Sequence, residues 1–410
     1  MTSADRVLVE LDAIRDWQEL IYLDLHRHPE LSSHEERTVG VTAHQLDGFG
    51  YDVHHIGGGV VGVLANGDGP RVLLRADMDA LPVTEQTGLP YASTVTAQDG
   101  DGNAVGVMHA CGHDIHVAAL LGAARLMAER QNAWNGSLIV VFQPAEETAA
   151  GAQAMIDAGL LDAIPRPDVA LAQHVLGIET GTIAVVAGPS LACADSIRIM
   201  IHGQGSHGAM PNLGVDPVIV AAAVIQRLQS IVSRELPPGE RAVVTVGAVH
   251  AGSKSNVISD HAELLVNTRA YSSDIRDQIV AAIERIVRAE CAASACPREP
   301  EFEYYDQFPL TDNDPATTQR VANAMRLRLG DTRVGALTPL AASEDFSRIP
   351  EAFGIPYTYW GLGGFPSGVV APPNHSPLFA PQMQPTLRTG TEALVTAALA
   401  YLGENTEATR

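Results

Sequence analysis

The chain has 410 residues, 46% of them apolar or aromatic and 18% charged, so it can bury a large core and is not a disordered, collagen-like or coiled-coil sequence. Its 26 Lys and Arg against 48 Asp and Glu leave a formal net charge of −22, which repels phosphate backbones and excludes nucleic acid as an expected partner. Charges run through the N-terminus, no apolar run approaches the ~20 residues of a membrane span, and the four cysteines (Cys111, Cys193, Cys291, Cys296) are too sparse for a disulfide framework, so a reduced, cytoplasmic protein with no membrane partner is expected.

In chain order, the apolar spacing of Val7, Leu8, Leu11, Ile14, Leu20, Ile21, Leu23 and Leu25 predicts a helix over 5–28, stopped by Pro29. Short apolar runs bounded by Gly, Pro and Asn predict strands at 60–65, 71–76, 138–142, 168–174 and 182–187. Helices are expected between them at 114–130 and 149–158. Such alternation points to an α/β sheet covered by helices on both faces.

The pattern changes near Pro189. A strand at 196–202, a helix at 217–234, a strand pair at 242–249 and 262–269, a helix at 273–290 and a strand at 301–305 follow. That βαββαβ order makes a complete small α+β unit. Helix and strand signals resume from Asp314 to Leu402, before a charged tail over 403–410. The expected organisation is a discontinuous domain of 1–189 and 310–410 interrupted by an inserted domain of 190–309.

The densest chemistry lies in Met108-His109-Ala110-Cys111-Gly112-His113-Asp114-Ile115-His116. Cys111 and His113, two apart with Gly between, can turn a thiolate and an imidazole toward one point just before a helix. A second candidate is Glu146-Glu147, directly after an apolar strand, where open α/β sheets gather their sites. In an extended backbone these adjacent carboxylates cannot point the same way, so one could bind metal while the other faces a water. Taken alone, the pair reads equally well as solvated glutamates at a helix start.

After the strand at 71–76, Asp79 is placed to hydrogen-bond a ligand histidine and fix its tautomer, while Asp77 reads as an ordinary loop carboxylate. His174 at a strand end and His375 in a Pro-rich loop are weak signals singly. Together, Cys111, His113, Glu147, His174 and His375 supply soft, borderline and hard donors in the number that a two-ion site requires.

These residues sit in motifs that run in order along the chain: LHRHPEL from Leu25, RADMDALP from Arg75, MHACGHDIH from Met108, FQPAEE from Phe142, QHV from Gln173, SHGAMP from Ser206, AGSKSNVI from Ala251, SEDFS from Ser343 and NHSP from Asn374. In them the sequence resembles the M20 metallopeptidases, in particular the amidohydrolase branch with N-acyl-amino-acid amidohydrolases, hippurate hydrolases and auxin-conjugate hydrolases. The resemblance extends from Leu25 to about Leu402.

The resemblance implies a catalytic α/β domain with a mixed sheet, and an inserted ferredoxin-like domain that serves as lid and dimerisation surface. It implies two divalent ions per subunit, with zinc expected and manganese, cobalt or nickel as alternatives. Cys111 would bridge the ions, with His113, Glu147, His174 and His375 completing the ligand set. Glu146 would be the general acid/base and Asp79 the orienting aspartate. His207 of the inserted domain would reach the scissile carbonyl, often from the partner subunit, and Asn256 and Arg269 would contact substrate.

The expected reaction is hydrolysis of a small N-acyl-L-amino acid by a homodimer or homotetramer. A dipeptidase or an N-acetyl-diaminopimelate deacetylase on the same scaffold is the near alternative. A non-catalytic metal-binding protein would have no use for Glu146, and a thiol enzyme built on Cys111 would leave the extra Glu and His donors unexplained. Gly177, Gln204, Ser206 and Ser259 depart from the family's usual residues, all on loops expected to face substrate.

Overall fold

The computed structural model describes residues 2–98 and 102–403; most of the charged tail, 404–410, lies outside the described residues. Contacts divide the chain into two compact units, one made of Met1–Ser190, Asp312–Pro339 and Asp345–Arg410, the other of Leu191–Thr311 and Leu340–Glu344. The second unit thus takes a short segment, Leu340–Glu344, from beyond the expected boundary at 309.

The first unit is built on an eight-stranded mixed sheet. Its strands lie in the order Asp52–Ile56, Gly59–Asn66, Gly136–Gln143, Arg71–Asp77, Val169–Glu179, Tyr357–Phe365, Ile183–Val185 and Val334–Ala336. The four central strands, Gly136–Gln143 through Tyr357–Phe365, run parallel. They are apolar almost without interruption, because a strand covered on both faces has no solvent side to alternate toward. The helices Arg15–Arg27, His113–Glu129 and Met383–Leu402 bury Tyr22, Leu25, Leu120, Leu121, Leu394 and Val395 in one core with the sheet.

Register decides which residues meet. Asp77 pairs with Gln143, and Arg75 pairs with both Val141 and Ala172. The carboxyl ends of strands Arg71–Asp77 and Gly136–Gln143 therefore lie level with His174, at the edge where parallel α/β sheets open their sites. His174 is not at its own strand's end: that strand runs on to Glu179, held by Tyr357–Phe365, with Gly361 opposite His174.

The expected N-terminal helix is broken into Ser3–Val7, a single turn at Leu8–Glu10 and Arg15–Arg27. Val7, Leu8, Leu11 and Ile14 are all buried, so the break sacrifices no apolar burial. None of the described helices is long and apolar enough to cross a membrane.

The second unit is a four-stranded antiparallel sheet ordered Ala242–Ala251, His261–Ala270, Cys193–His202, Glu301–Phe308. The strand His261–Ala270 buries Ala262, Leu264, Val266, Thr268 and Ala270 in strict alternation, the pattern of a sheet covered on one face. The helices Pro217–Leu228 and Ser273–Ala293 pack there through Val220, Val224, Ile279 and Ile283. The helix expected to reach 234 ends at Leu228 and passes into a wider π-helical turn at Ile231–Glu235.

Candidate metal centre

Three features of the backbone bring the donors together. Gly112 takes a left-handed conformation (φ +79) at the start of the helix His113–Glu129, and a Cβ there would lie 2.4 Å from Val175 Cγ1. Only glycine lets the chain turn this close to the neighbouring strand. Ala145 is also left-handed (φ +47), which bends the chain after strand Gly136–Gln143 so that Glu146 and Glu147 both present oxygens near His113. The neighbouring carboxylates do converge, because the backbone between them and the strand is not extended. His375, left-handed as well (φ +69), is anchored by its N–H to the carbonyl of Ala110 at 2.8 Å.

The donor atoms fall into two groups that share one sulfur. Cys111, His113 and His174 offer atoms within 4.8 Å of one another, and so do Cys111, Glu147 and His375. His174 Nε2 is 3.3 Å from Cys111 Sγ, and His375 Nε2 is 3.2 Å from Glu147 Oε2. Two of the histidines have a fixed tautomer. His113 donates from Nδ1 to Asp79 Oδ1 at 3.2 Å, and His174 donates from Nδ1 to the Val175 carbonyl at 2.8 Å. Each ring thus turns an Nε2 lone pair toward the cluster.

His113 Nε2 and Glu147 Oε1, 3.8 Å apart, are both buried without a hydrogen-bond partner among the described residues. Buried polar atoms are almost always satisfied, so this facing pair calls for a ligand that accepts electron pairs. A thiolate, imidazoles and carboxylates around two adjoining positions fit a pair of divalent cations such as zinc.

The surrounding charges are arranged with equal care. Asp79 Oδ2 accepts from Ser32 Oγ at 2.7 Å and from the Glu147 N–H at 3.0 Å, so this one carboxylate orients a histidine and the glutamate loop. Burial opposes its ionisation, but these donors hold it below the usual carboxylate range. Burial keeps His174 well below the ordinary imidazole range, hence neutral. Hydrogen bonds to Cys111 and Glu147 push His375 up to about 10.

Asp77 is the chief correction to the sequence reading. It is not a loop carboxylate but a fully buried strand residue that accepts from Arg75 Nη1 at 2.6 Å and from His116 Nδ1 at 2.5 Å. Burial raises its pKa, yet Arg75, His113 and His116 outweigh this and keep it well below the usual range. His116 also accepts the Val175 N–H on Nε2 at 2.8 Å, so both its nitrogens are engaged and it positions rather than ligates.

Arg75 itself donates to Gln143 at 2.9 Å, and Gln143 donates to Asp345 at 2.6 Å. Glu35 accepts from the Ala145 N–H at 2.8 Å, beside Glu146. Asn374 donates to Cys111 Sγ at 3.4 Å. None of these roles was readable in the sequence, since each partner lies far away along the chain. The one available signal was the charge of Arg75 and Asp77 inside an otherwise apolar strand.

His207, Asn256 and Arg269 belong to the second unit. His207 lies in a two-residue strand paired with Val257–Ile258, and its Nδ1 accepts the Ala209 N–H at 3.1 Å. Its Nε2 is therefore the protonated nitrogen. Asn256 holds this turn through its carbonyl, which accepts the Gly208 N–H at 2.8 Å. A cavity of about 860 Å³ opens here, lined by Ser206, His207, His250, Asp260 and His261 among others. Arg269 donates to Asn267 at 3.2 Å and to Ser343, and its burial lowers its pKa.

Comparison with known proteins gives a consistent picture. Residues 73–400 match the model of peptidase family M20/M25/M40. The chain is 33% identical to thermostable carboxypeptidase 1 of Saccharolobus solfataricus, across 92% of this chain and 94% of that protein. It is 35% identical to the N-acetylcysteine deacetylase of Bacillus subtilis, across 83% and 87% of the two chains. Among solved structures, the Bacillus subtilis YXEP protein, described as a dinuclear metal binding peptidase, superposes with a TM-score of 0.77 at 30% identity, over 95% of this chain and 98% of the other.

Proposed function

The chain belongs to peptidase family M20/M25/M40 and is a metal-dependent hydrolase of amide bonds, and from that premise we propose that its substrates are N-acyl-L-amino acids, cleaved to a carboxylic acid and a free amino acid. The observation that carries the reading is the pair of donor groups sharing Cys111, with Nε2 of His113 and Oε1 of Glu147, neither hydrogen-bonded among the described residues, lying 3.8 Å apart beside Glu146.

Two divalent ions would be held by Cys111, His113, Glu147, His174 and His375, with Cys111 common to both and zinc as the ion best matched to the donors. When bound, the ions supply Lewis acidity, which makes water ionisable near neutral pH and polarises a carbonyl. Glu146 takes the proton from the attacking water and delivers it to the leaving nitrogen, a role typically worth roughly 10²–10⁴-fold. Asp79 holds His113 in the tautomer that exposes Nε2. Glu35 holds the backbone from which Glu146 projects.

For the second unit, our reading gives His207 the stabilisation of the carbonyl oxygen from its protonated Nε2, and gives Arg269 and Asn256 contact with the substrate, Arg269 with its carboxylate. The homodimer and the cytoplasmic location also belong to this proposal. Supporting the dimer is the edge strand Ala242–Ala251, whose outer side has no strand neighbour among the described residues and which leaves Val243 and Val249 exposed. Supporting the location are the four free cysteines.

A second reading, cleavage of peptides at a free C-terminus, is favoured by the identity to a carboxypeptidase. Both substrate classes offer an amide beside an α-carboxylate, so mass-spectrometric assay of a panel separates them. The panel would hold N-acetyl and N-benzoyl amino acids, N-acetyl-diaminopimelate and dipeptides, each tested with zinc, manganese, cobalt and nickel. Release from the N-acyl amino acids alone supports the proposal; faster release from dipeptides replaces it with the second reading.

A further inference from the structure

The C-terminus of helix Ser273–Ala293 carries an arrangement that amide hydrolysis does not use. Ala295 stands in the left-handed region (φ +55), its N–H donates to the Ala292 carbonyl at 3.1 Å, and the Cys296 N–H reaches back to the Cys291 carbonyl at 3.0 Å. In this kind of helix end, the residue after the left-handed one folds over the last turn and meets the side chain five positions earlier, usually as an apolar pair. Here both positions are cysteine, so the fold-back carries the Cys296 side chain toward that of Cys291. Pro297 follows and keeps the helix from continuing.

The two thiols differ in access. Cys291 is buried, whereas Cys296 is partly exposed. The other cysteines are otherwise engaged: Cys111 lies in the proposed metal centre, and Cys193 is buried with its Sγ donating to the Ala270 carbonyl at 3.2 Å.

We propose that Cys291 and Cys296 are a thiol–disulfide exchange site, forming a reversible intramolecular disulfide with a low-molecular-weight disulfide as oxidant. Cys296 loses its proton and attacks one sulfur of the small disulfide, releasing one small thiolate and leaving a mixed disulfide on Cys296. Cys291 then loses its proton and attacks Cys296 Sγ, which expels the second small thiolate. Two protein thiols are oxidised, one small disulfide is reduced to two thiols, and the two released thiolates take up the two protons.

Burial and the neighbouring Cys296 push the Cys291 thiol up to about 12. Little thiolate forms there at neutral pH, so ring closure is slow and quickens with alkalinity. A thiolate so poorly stabilised also favours the closed disulfide at equilibrium.

The test treats the metal-loaded full-length protein with glutathione disulfide, alkylates remaining thiols under denaturing conditions and digests with trypsin. Both cysteines fall in one peptide, residues 289–298. The expected result is that peptide lighter by two hydrogens than its reduced form and carrying no alkyl group, restored by dithiothreitol, with faster closure at higher pH. Cys291→Ser should trap glutathione on Cys296, and Cys296→Ser should leave the peptide without an internal bond. A wild-type peptide alkylated on both cysteines, a stable glutathione adduct on Cys296, or a disulfide to another chain would overturn the proposal.

Discussion

Asp79 and Glu147 are joined by a hydrogen bond of 3.0 Å from the Glu147 N–H to Asp79 Oδ2, while Oδ1 of the same carboxylate takes the proton of His113 Nδ1 at 3.2 Å. One buried anion thus orients two of the proposed metal donors that lie 34 residues apart in sequence. Replacing Asp79 by Asn keeps the volume but removes the charge that sets the His113 tautomer. Metal affinity should fall about 10–100-fold with the fold intact. Titration with a competing chelator, alongside circular dichroism, checks this; unchanged affinity would remove Asp79 from the site's support.

Glu146→Gln should retain both metals and lose turnover by at least about 100-fold, because the amide cannot carry a proton from water to the leaving nitrogen. Elemental analysis and turnover per bound metal are measured together. A fall in metal content with normal residual turnover per metal would instead mean that Glu146 is the ligand and Glu147 the base.

Cys111 is common to both donor groups, so Cys111→Ser should weaken binding at both positions. A serine hydroxyl stays protonated near neutral pH and is a harder donor than a thiolate. Two metals per chain retained after dialysis would show that the sulfur is not a ligand.

His26 gives a pH signature away from the donors. Its ring lies between Asp114 Oδ2 at 2.7 Å and Glu85 Oε1 at 3.3 Å. Burial opposes its charge, but the two carboxylates raise it to about 9. A folded value raised above the ordinary ~6.5 means that its stabilisation is complete below ~6.5 and is lost as pH rises through about 9. The shift corresponds to roughly 3 kcal/mol. Urea denaturation from about pH 6 to about pH 10 should show wild type losing this increment and His26→Gln nearly free of it. Parallel pH profiles would falsify the assignment.

His207→Ala should lower kcat more than it raises KM if the ring donates to the developing oxyanion. If it acts on the partner's substrate, mixing inactive His207→Ala and Glu146→Gln subunits should restore activity. About half of randomly re-paired dimers would be mixed, each with one intact site. No recovery after verified exchange places His207 in the service of its own chain.

The sequence by itself determined the chemistry and the order of the parts. Donor types such as Cys111, His113 and Glu147 are local facts, as are the largely apolar strands and the βαββαβ order of the insertion, since periodicity and spacing are properties of neighbours along the chain. Tertiary structure decided what those donors face. Asp77 looked like a loop residue until strand register buried it against Arg75 and His116, and Arg75 meets Asp345 across 270 residues of chain. The convergence of Glu146 and Glu147 on His113 and the sharing of Cys111 between two donor groups follow the same rule. A tautomer, a buried charge or a shared ligand is set by partners brought near in space, and only packing of the whole chain supplies them.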